Sequence, residues 1–370
     1  MRVITTAVPV LTISPDARAA GMGETGVATS PDANATYWNP AKLGFVQNQY
    51  GVGLSYTPWL RHITDDMGLS YLSGYRRLRP GSAFAVSLMY FNLGEINFRD
   101  ESNNDRGTFA PKEYSVTAAY GQKISPYFGL GIAARFINSN LTGGVNVGGN
   151  ATRPGRSAAV DLGAYYTRDV NFGANTGNVS FGVNVSNIGA KITYTLPDQK
   201  DFLPTNLRVG TAITYDLDPF NKLVFAFDAN KMLVPTPADA ASAGSQQAAI
   251  AANRDIRNKG LVSAMFSSFN DAPGGSSEEL KEINLCTGVE YWYNDLLAVR
   301  AGYFYENPRK GNRQYLSMGL GLRYQVFGVD AAYLLPNKSV NPLTNTIRIS
   351  LAFRFDSPEE GKGPTAPAAE

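Results

Sequence analysis

The chain has 370 residues, 17% of them charged, and a net charge of only +2; a typical soluble domain is roughly 25% charged. So near-neutral a balance offers no electrostatic case for nucleic acid, and a single cysteine and a single histidine exclude an intrachain disulfide and a Cys/His zinc site. No stretch approaches the roughly 18 consecutive apolar residues of a membrane-spanning helix, while glycine (37), tyrosine (20) and phenylalanine (19) are abundant.

The start, "MRVITTAVPVLTI", lacks the basic n-region, apolar core and small-residue cleavage site of a secretory signal. It is read as a mature form whose signal has been removed. Residues 1–45 form an irregular lead-in with neither helical nor strand periodicity. Its 15–45 stretch, "PDARAAGMGETGVATSPDANATYWNPAKLGF", nevertheless holds Tyr37 and Trp38, two residues costly to leave unpacked.

From residue 46 the pattern changes to strict alternation. "YFGLGIAARF" sets Phe128, Leu130, Ile132 and Phe136 against Gly129, Gly131 and Arg135, and "YLSMGLGLRY" and "TIRISLAFRF" repeat the scheme. Runs of about ten residues with period 2, apolar and aromatic against small and charged, are the signature of a transmembrane β-barrel. Fourteen such runs occur, at approximately 48–56, 66–76, 81–91, 113–122, 126–137, 157–168, 178–188, 206–216, 220–231, 283–293, 296–305, 315–324, 327–335 and 345–355. The fold class is therefore all-β, a 14-stranded antiparallel transmembrane barrel over 46–355.

Short connections alternate with long ones along this series, as in outer-membrane barrels whose short turns are periplasmic. Both termini are then expected at the short-turn end. The lumen face should carry Arg135, Asp161, Arg208, Asp228, Glu290, Arg300, Arg323, Arg348 and Arg354, groups expected to pair across the lumen rather than form a selectivity filter. Tyr114, Tyr120, Tyr166, Tyr215, Tyr291, Tyr293, Tyr303, Tyr305 and Phe355 fall on the outward face near strand ends, where aromatic girdles sit. Outward Leu320 should not accept arginine, and inward Gly321 should if the lumen has room.

Fourteen strands enclose a lumen wider than wall side chains can fill, so the lead-in is expected to fold back inside as a plug, or hatch. Asp16, Arg18, Asp32 and Asn34 would meet lumen charges and turn amides, Tyr37 and Trp38 would anchor it, and Asn39–Ala41 would turn the chain into the wall. The connection 232–282 is far longer than a barrel loop needs. Its first part reads as a helix stopping at Gly260, and its second exposes Leu261, Val262, Met265, Phe266 and Phe269 before a "DAPGG" turn containing Asp271 and Pro273. That cluster either caps the barrel mouth or offers a partner-binding surface. Residues 356–370, rich in proline, glycine and glutamate, read as a disordered periplasmic tail.

Catalysis lacks an inventory. His62 lies in a predicted extracellular loop away from any wall serine, Asp65–Asp66 is two carboxylates without further ligands, and Gly143–Asn150 has no following Lys-Ser/Thr for a phosphate loop. Cys286 faces inward as a small packed side chain. No enzyme, metal or cofactor is expected.

The string from Ser14 to Phe45, with Asp16, Arg18, Gly21, Gly23, Asp32, Trp38, Asn39 and Pro40, resembles the N-terminal signature of the PorV (LptO) family of the type IX secretion system of Bacteroidetes. "FSSFNDAPGGSSEELKEINL" (266–285) and the closing "TIRISLAFRF" resemble the same family. The resemblance implies membership of the FadL-like barrel superfamily, with fourteen strands and an N-terminal hatch. It further implies a non-enzymatic cargo shuttle in the bacterial outer membrane, in contact with the lipid bilayer and lipopolysaccharide. Its partners would be a SprA/Sov-like translocon, the C-terminal signal domains of secreted cargo, and an attachment complex holding a PorU-like sortase. The alternatives are a FadL-like transporter of hydrophobic small molecules and a barrel with a purely structural role. A transporter would need an apolar pocket beneath the hatch.

Overall fold

The computed structural model describes residues 3–60, 64–99, 102–144, 146–147, 150–195, 200–337 and 346–356. His62, part of Gly143–Asn150 and the tail from 357 lie outside them. Fourteen wall strands run in chain order. The first seven are β1 Tyr50–Pro58, β2 Met67–Arg79, β3 Ser82–Leu93, β4 Lys112–Lys123, β5 Phe128–Asn140, β6 Gly155–Phe172 and β7 Asn175–Gly189. The second seven are β8 Asn206–Asp218, β9 Asn221–Met232, β10 Ile283–Tyr293, β11 Leu297–Tyr305, β12 Gln314–Tyr324, β13 Phe327–Pro336 and β14 Ile347–Phe355.

Each strand pairs antiparallel with its neighbours in sequence, and β14 closes on β1 with Tyr50 opposite Phe355 and Tyr56 opposite Ile349. A closed meander leaves no unpaired edge. The period-2 pattern predicts all fourteen strands, because one face of each must be apolar and the other cannot be. The outward face is mainly apolar and includes Val86, Ile132, Phe225, Val299, Leu320 and Ile349. Register places the nine predicted girdle aromatics on this outer side.

The wall register shifts between Arg77 and Arg79 on β2, between Val160 and Leu162 on β6, and between Asp216 and Asp218 on β8. Opposite Asp161, β7 carries an extra residue at Ser186–Asn187, where Asn187 takes a left-handed conformation with φ 60°. This bulge turns the Asn187 amide onto Asp161 Oδ1 at 2.7 Å. The connection after β3 folds as a small hairpin, Ile96–Arg99 against Asp105–Phe109.

The single helix expected after Pro237 is instead two. Helix α1 (Ala240–Ala243) ends at Gly244, whose φ of 83° suits glycine alone, and α2 (Gln246–Asn258) restarts on Ser245, which accepts the Ala248 N–H. Helix α3 (Leu261–Ser267) follows.

Inside the wall lie the residues of the lead-in. Val8, Val10 and Leu11 pack with Tyr37 and Trp38 against Leu69, Tyr71, Met89, Phe91 and Ile137. Ala35, Leu43 and Val46 pack on Tyr75, Ala85 and Ala133, and Met22 and Val27 on Ala212 and Ala226. Full burial of each larger side chain among these contributes roughly 1.5–3 kcal/mol.

The direction of this segment corrects one expectation. Ile4 packs with Phe202, Val234 and Leu261, and the Ala7 amide donates to Phe202 O at 2.9 Å, all in long connections. Lys42–Phe45 meets Gln122, Lys123 and Gly129 beside a short turn. The lead-in thus traverses the interior from the long-loop mouth to the short-turn end, and only the C-terminal strand ends where both termini were expected.

Candidate functional site: the lead-in and its seat

The first turn of the lead-in is held by Asp16. Its Oδ1 caps the short helix Ala17–Gly21 by accepting the Ala19 N–H at 2.9 Å, and its Oδ2 accepts the Trp38 indole N–H at 2.6 Å. Ser350 on β14 accepts the Ala17 amide at 2.8 Å. Gly21 lies directly on Gly319 of β12; Gly23, with φ 65°, donates its N–H to Ser317 Oγ at 2.9 Å. Asp32 accepts the Asn34 amide at 2.8 Å. Asn39 caps the 3-10 turn Pro40–Phe45 and donates to both Val27 O (3.1 Å) and Ala164 O (2.9 Å), joining two lead-in passes to β6.

The wall accommodates this backbone through glycine. A Cβ on Gly121 would lie 2.3 Å from Pro40 O, and on Gly131 2.2 Å from Ala41 N. At Gly163 it would lie 2.3 Å from Asn39 Oδ1, at Gly182 2.2 Å from Val27 O, at Gly288 2.4 Å from Met22 O, and at Gly302 2.1 Å from Gly23 N. Six inward glycines on six strands are therefore a seat shaped to one segment, since any side chain there would occupy the same space. The sequence reading found the lumen face glycine-rich but did not connect these positions. It also missed Lys42, buried, with Nζ on Gly26 O at 2.9 Å and Thr29 Oγ1 at 3.2 Å.

The inward charges are mostly engaged. Arg135 pairs with Asp161 at 2.7 Å and donates to Thr117 and Asn187. Arg208 lies 4.9 and 4.7 Å from the Tyr37 and Trp38 rings. Asp228 accepts the Gly26 and Val27 amides at 2.8 and 3.0 Å. A chain of pairs runs from the lead-in into the wall: Arg18 to Glu290 at 2.8 Å, Glu290 to Arg300 at 2.6 Å, Arg300 to Asp330 at 2.8 Å and Asp330 to Arg323 at 2.6 Å. Arg348 reaches Glu24 at 3.4 Å. Arg354 alone of the nine stands exposed, at the short-turn mouth. A cavity of about 810 Å³ opens there, lined by Asp16, Arg18, Asp32, Trp292, Arg323 and Arg354 among others. Between Leu11, Tyr37, Met89 and Arg135 only about 10 Å³ remains.

The family model for the type IX secretion system protein PorV matches residues 1–239 of this sequence, the whole lead-in and the first nine strands. The chain belongs to the PorV family. No curated protein sequence matches it. Among solved structures, the P. putida toluene transporter TodX is 12% identical with a TM-score of 0.50, covering 93% of this chain and 99% of that one. The Ralstonia pickettii toluene transporter TbuX (12%, TM-score 0.49, 94% and 99%) and a Pseudomonas aeruginosa FadL homologue (12%, TM-score 0.45, 96% and 99%) are also similar. At such identity the TodX likeness speaks for the fold alone, a closed barrel, here of fourteen strands.

The PorV match ends near the start of the long loop, whose remainder is tied to the barrel by charge. Lys231, at the end of β9, binds Glu279 at 2.9 Å and Glu282 at 2.8 Å; Lys310, from the β11–β12 connection, binds Glu278 and Glu282, each at 2.7 Å. Thr236 Oγ1 donates to Glu282 at 2.5 Å. Burial works to raise the Glu282 pKa, but these hydrogen bonds and the Lys231 charge outweigh it and hold the carboxyl below its usual range. Asp271 accepts the Thr236 amide at 3.2 Å, and burial pushes its carboxyl up. On α3, Leu261 and Ala264 pack inward on Phe202 and Val234. Met265 is half-buried, whereas Phe266 is 74% and Phe269 48% exposed, and Pro273 is exposed. In this PorV-family chain the loop is thus a folded, charge-pinned segment, or cap, that exposes Val262, Phe266 and Phe269 among polar residues such as Arg254, Asp255 and Ser263. No cluster of metal-ligating side chains occurs among the described residues.

Proposed function

We propose that this chain is a non-enzymatic outer-membrane component of the type IX secretion machinery. In this reading it takes the C-terminal signal domain of cargo leaving a SprA/Sov-like translocon and delivers it to an attachment complex with a PorU-like sortase. The observation that carries the reading is the family match across the lead-in and nine strands. The apolar outer wall is the surface expected of a barrel in the outer membrane, with short turns periplasmic and lipopolysaccharide around its upper half. Residues 1–45 act as a plug, consistent with their glycine seat and the buried ion-pair chain.

The cap is the proposed partner-binding element, through Met265, Phe266, Phe269, Asp271 and Pro273. An exposed aromatic pair on a folded, charge-pinned segment is a surface built to be covered. A FadL-like transporter of hydrophobic molecules is the second reading, favoured only by the fold. The cavity at the short-turn mouth mixes charged groups such as Arg18, Asp32 and Arg323 with apolar ones such as Phe45, Val52 and Phe353, and so does not by itself favour an apolar passenger.

The test is affinity purification from native outer membranes. Wild type should bring down secreted proteins sharing a C-terminal domain, and Phe266→Ala with Phe269→Ala should leave a heat-modifiable, inserted barrel that recovers less cargo. If the double variant captures cargo at wild-type levels, the cap is not the binding surface. If neither form recovers cargo or a large barrel partner, the secretion reading falls.

A further inference from the structure

The short-turn rim is electrostatically one-sided. On the arc from β1 to β6 it carries Arg76, Arg79 and Arg168, all exposed, and none in an ion pair among the described residues. Register puts Arg76 on the outward face, opposite Tyr50 on β1 and Phe84 on β3. Arg168 shares the outward parity of Leu162 and Tyr166 on β6. Two of the three guanidinium groups lie over tyrosine rings, Arg76 at 5.9 Å from Tyr50 and Arg168 at 5.4 Å from Tyr127. Asp169 beside Arg168 accepts from Asn178 at 2.8 Å, and Asp356, where β14 meets β1, accepts from Asn48 and Gln49 at 3.0 and 3.1 Å; hydrogen bonds leave both charges in place, and the three arginines outnumber these two acids. Further round, the β8–β9 and β10–β11 turns carry Asp216, Asp218 and Asp295, with Lys222 committed to Asp295 at 2.9 Å.

We propose that this basic arc is a binding surface for anionic phospholipid headgroups in the leaflet at the short-turn end, an inference that rests on the membrane reading above. An outward arginine at a strand end lays its stem along the apolar wall and carries its charge to headgroup depth. The planar fork then offers paired N–H donors to phosphate oxygens, the geometry in which arginine outperforms lysine. The tyrosines beneath Arg76 and Arg168 fix the plane of each guanidinium and screen one side from water. The aspartates across the rim repel the same headgroups, so anionic lipid gathers on the β1–β6 side and not around the whole circumference.

The experiment uses the full chain in unilamellar vesicles of phosphatidylcholine with or without phosphatidylglycerol, followed by native mass spectrometry of the lipids it retains. Phosphatidylglycerol should be retained in preference to phosphatidylcholine. The preference should fall roughly fivefold for each arginine replaced in the series Arg76→Gln, Arg79→Gln, Arg168→Gln. Arg168→Lys should keep part of it, and Asp216→Asn with Asp218→Asn should not reduce it. Heat-modifiable migration checks that each variant is folded. Insertion into both vesicle types with no lipid preference overturns this proposal and leaves the membrane reading standing. Failure to insert in either overturns both. If inorganic phosphate alone protects the protein as well as phosphatidylglycerol does, the arc is a phosphate site and not a lipid surface.

Discussion

Asp16 and Trp38, 22 residues apart, are joined by an indole N–H···carboxylate bond of 2.6 Å that closes the lead-in into a loop of its own. Both partners are buried, Asp16 at 2% and Trp38 at 3% exposure. Trp38→Phe should keep most of the apolar packing yet leave one carboxylate oxygen without its donor. A buried group left unsatisfied costs roughly 1–3 kcal/mol, more when charged. The expected result is a lower midpoint of heat-modifiable unfolding, with wild-type migration at room temperature. An unchanged midpoint would show that the bond contributes nothing beyond packing.

The glycine seat predicts a contrast between two faces of one wall. Gly182→Ala would put its methyl 2.2 Å from Val27 O, whereas at outward Gly74 the nearest atom lies at 3.5 Å. The first variant should displace the lead-in, making Arg18 cleavable by trypsin and raising conductance in planar bilayers toward that of a 1–45 deletion. Gly74→Ala should do neither. Large, steady conductance from the intact protein would refute the plug itself.

Leu320 on β12 is 59% exposed on the outer face. Arginine there should cost roughly 2–4 kcal/mol if it sits near the bilayer midplane, reducing the yield of assembled barrel in vesicles. Its inward neighbour is no safer. A side chain on Gly321 would start 2.6 Å from Asp330 Oδ1 and 2.7 Å from the Arg300 guanidinium, so Gly321→Arg must displace the buried Arg300–Asp330 pair. Assembly assays on both variants should therefore fail, for different reasons.

The cap should loosen in acid through Glu282. Its folded carboxyl titrates below the usual value of 4.5, so its contribution is fully present above that value and is lost as pH falls through the lower folded pKa. Asp271, raised by burial, acts in the opposite sense and is relieved by protonation. Limited proteolysis within 240–275 should accelerate below about pH 4, and Glu282→Gln should show fast cleavage already at neutral pH. An equal acid response in wild type and Glu282→Gln would assign the transition to other groups.

Strand positions were legible because a wall strand writes its two faces into alternate residues, as Leu320, Leu322 and Tyr324 against Gly321 and Arg323 do. The motif residues Asp16, Trp38 and Asn39 were legible as anchors for the same local reason: capping types beside a large aromatic. What periodicity cannot carry is pairing across the barrel. Nothing near Gly182 announces Val27, and Lys231 and Lys310 meet on Glu282 only after the chain has closed. Direction was lost likewise. A segment without period has no face, so the contact of Ala7 with Phe202 was invisible. Gly244 was overlooked because a run of alanine and glutamine on both sides masks one breaker whose conformation only the fold reveals.

The path of the lead-in also sets the order of assembly. Ala17 is hydrogen-bonded to a residue 333 positions later, and Arg348 reaches Glu24 across 324. These two lead-in contacts are therefore made only when the last strand arrives. Until then Glu24 lacks Arg348 and the Ala17 amide lacks Ser350, although Arg18 can already meet Asp32 and Glu290. Contacts so distant in sequence make for slow folding. They also make closure nearly all-or-none, so an incomplete chain holds neither a sealed wall nor a seated lead-in.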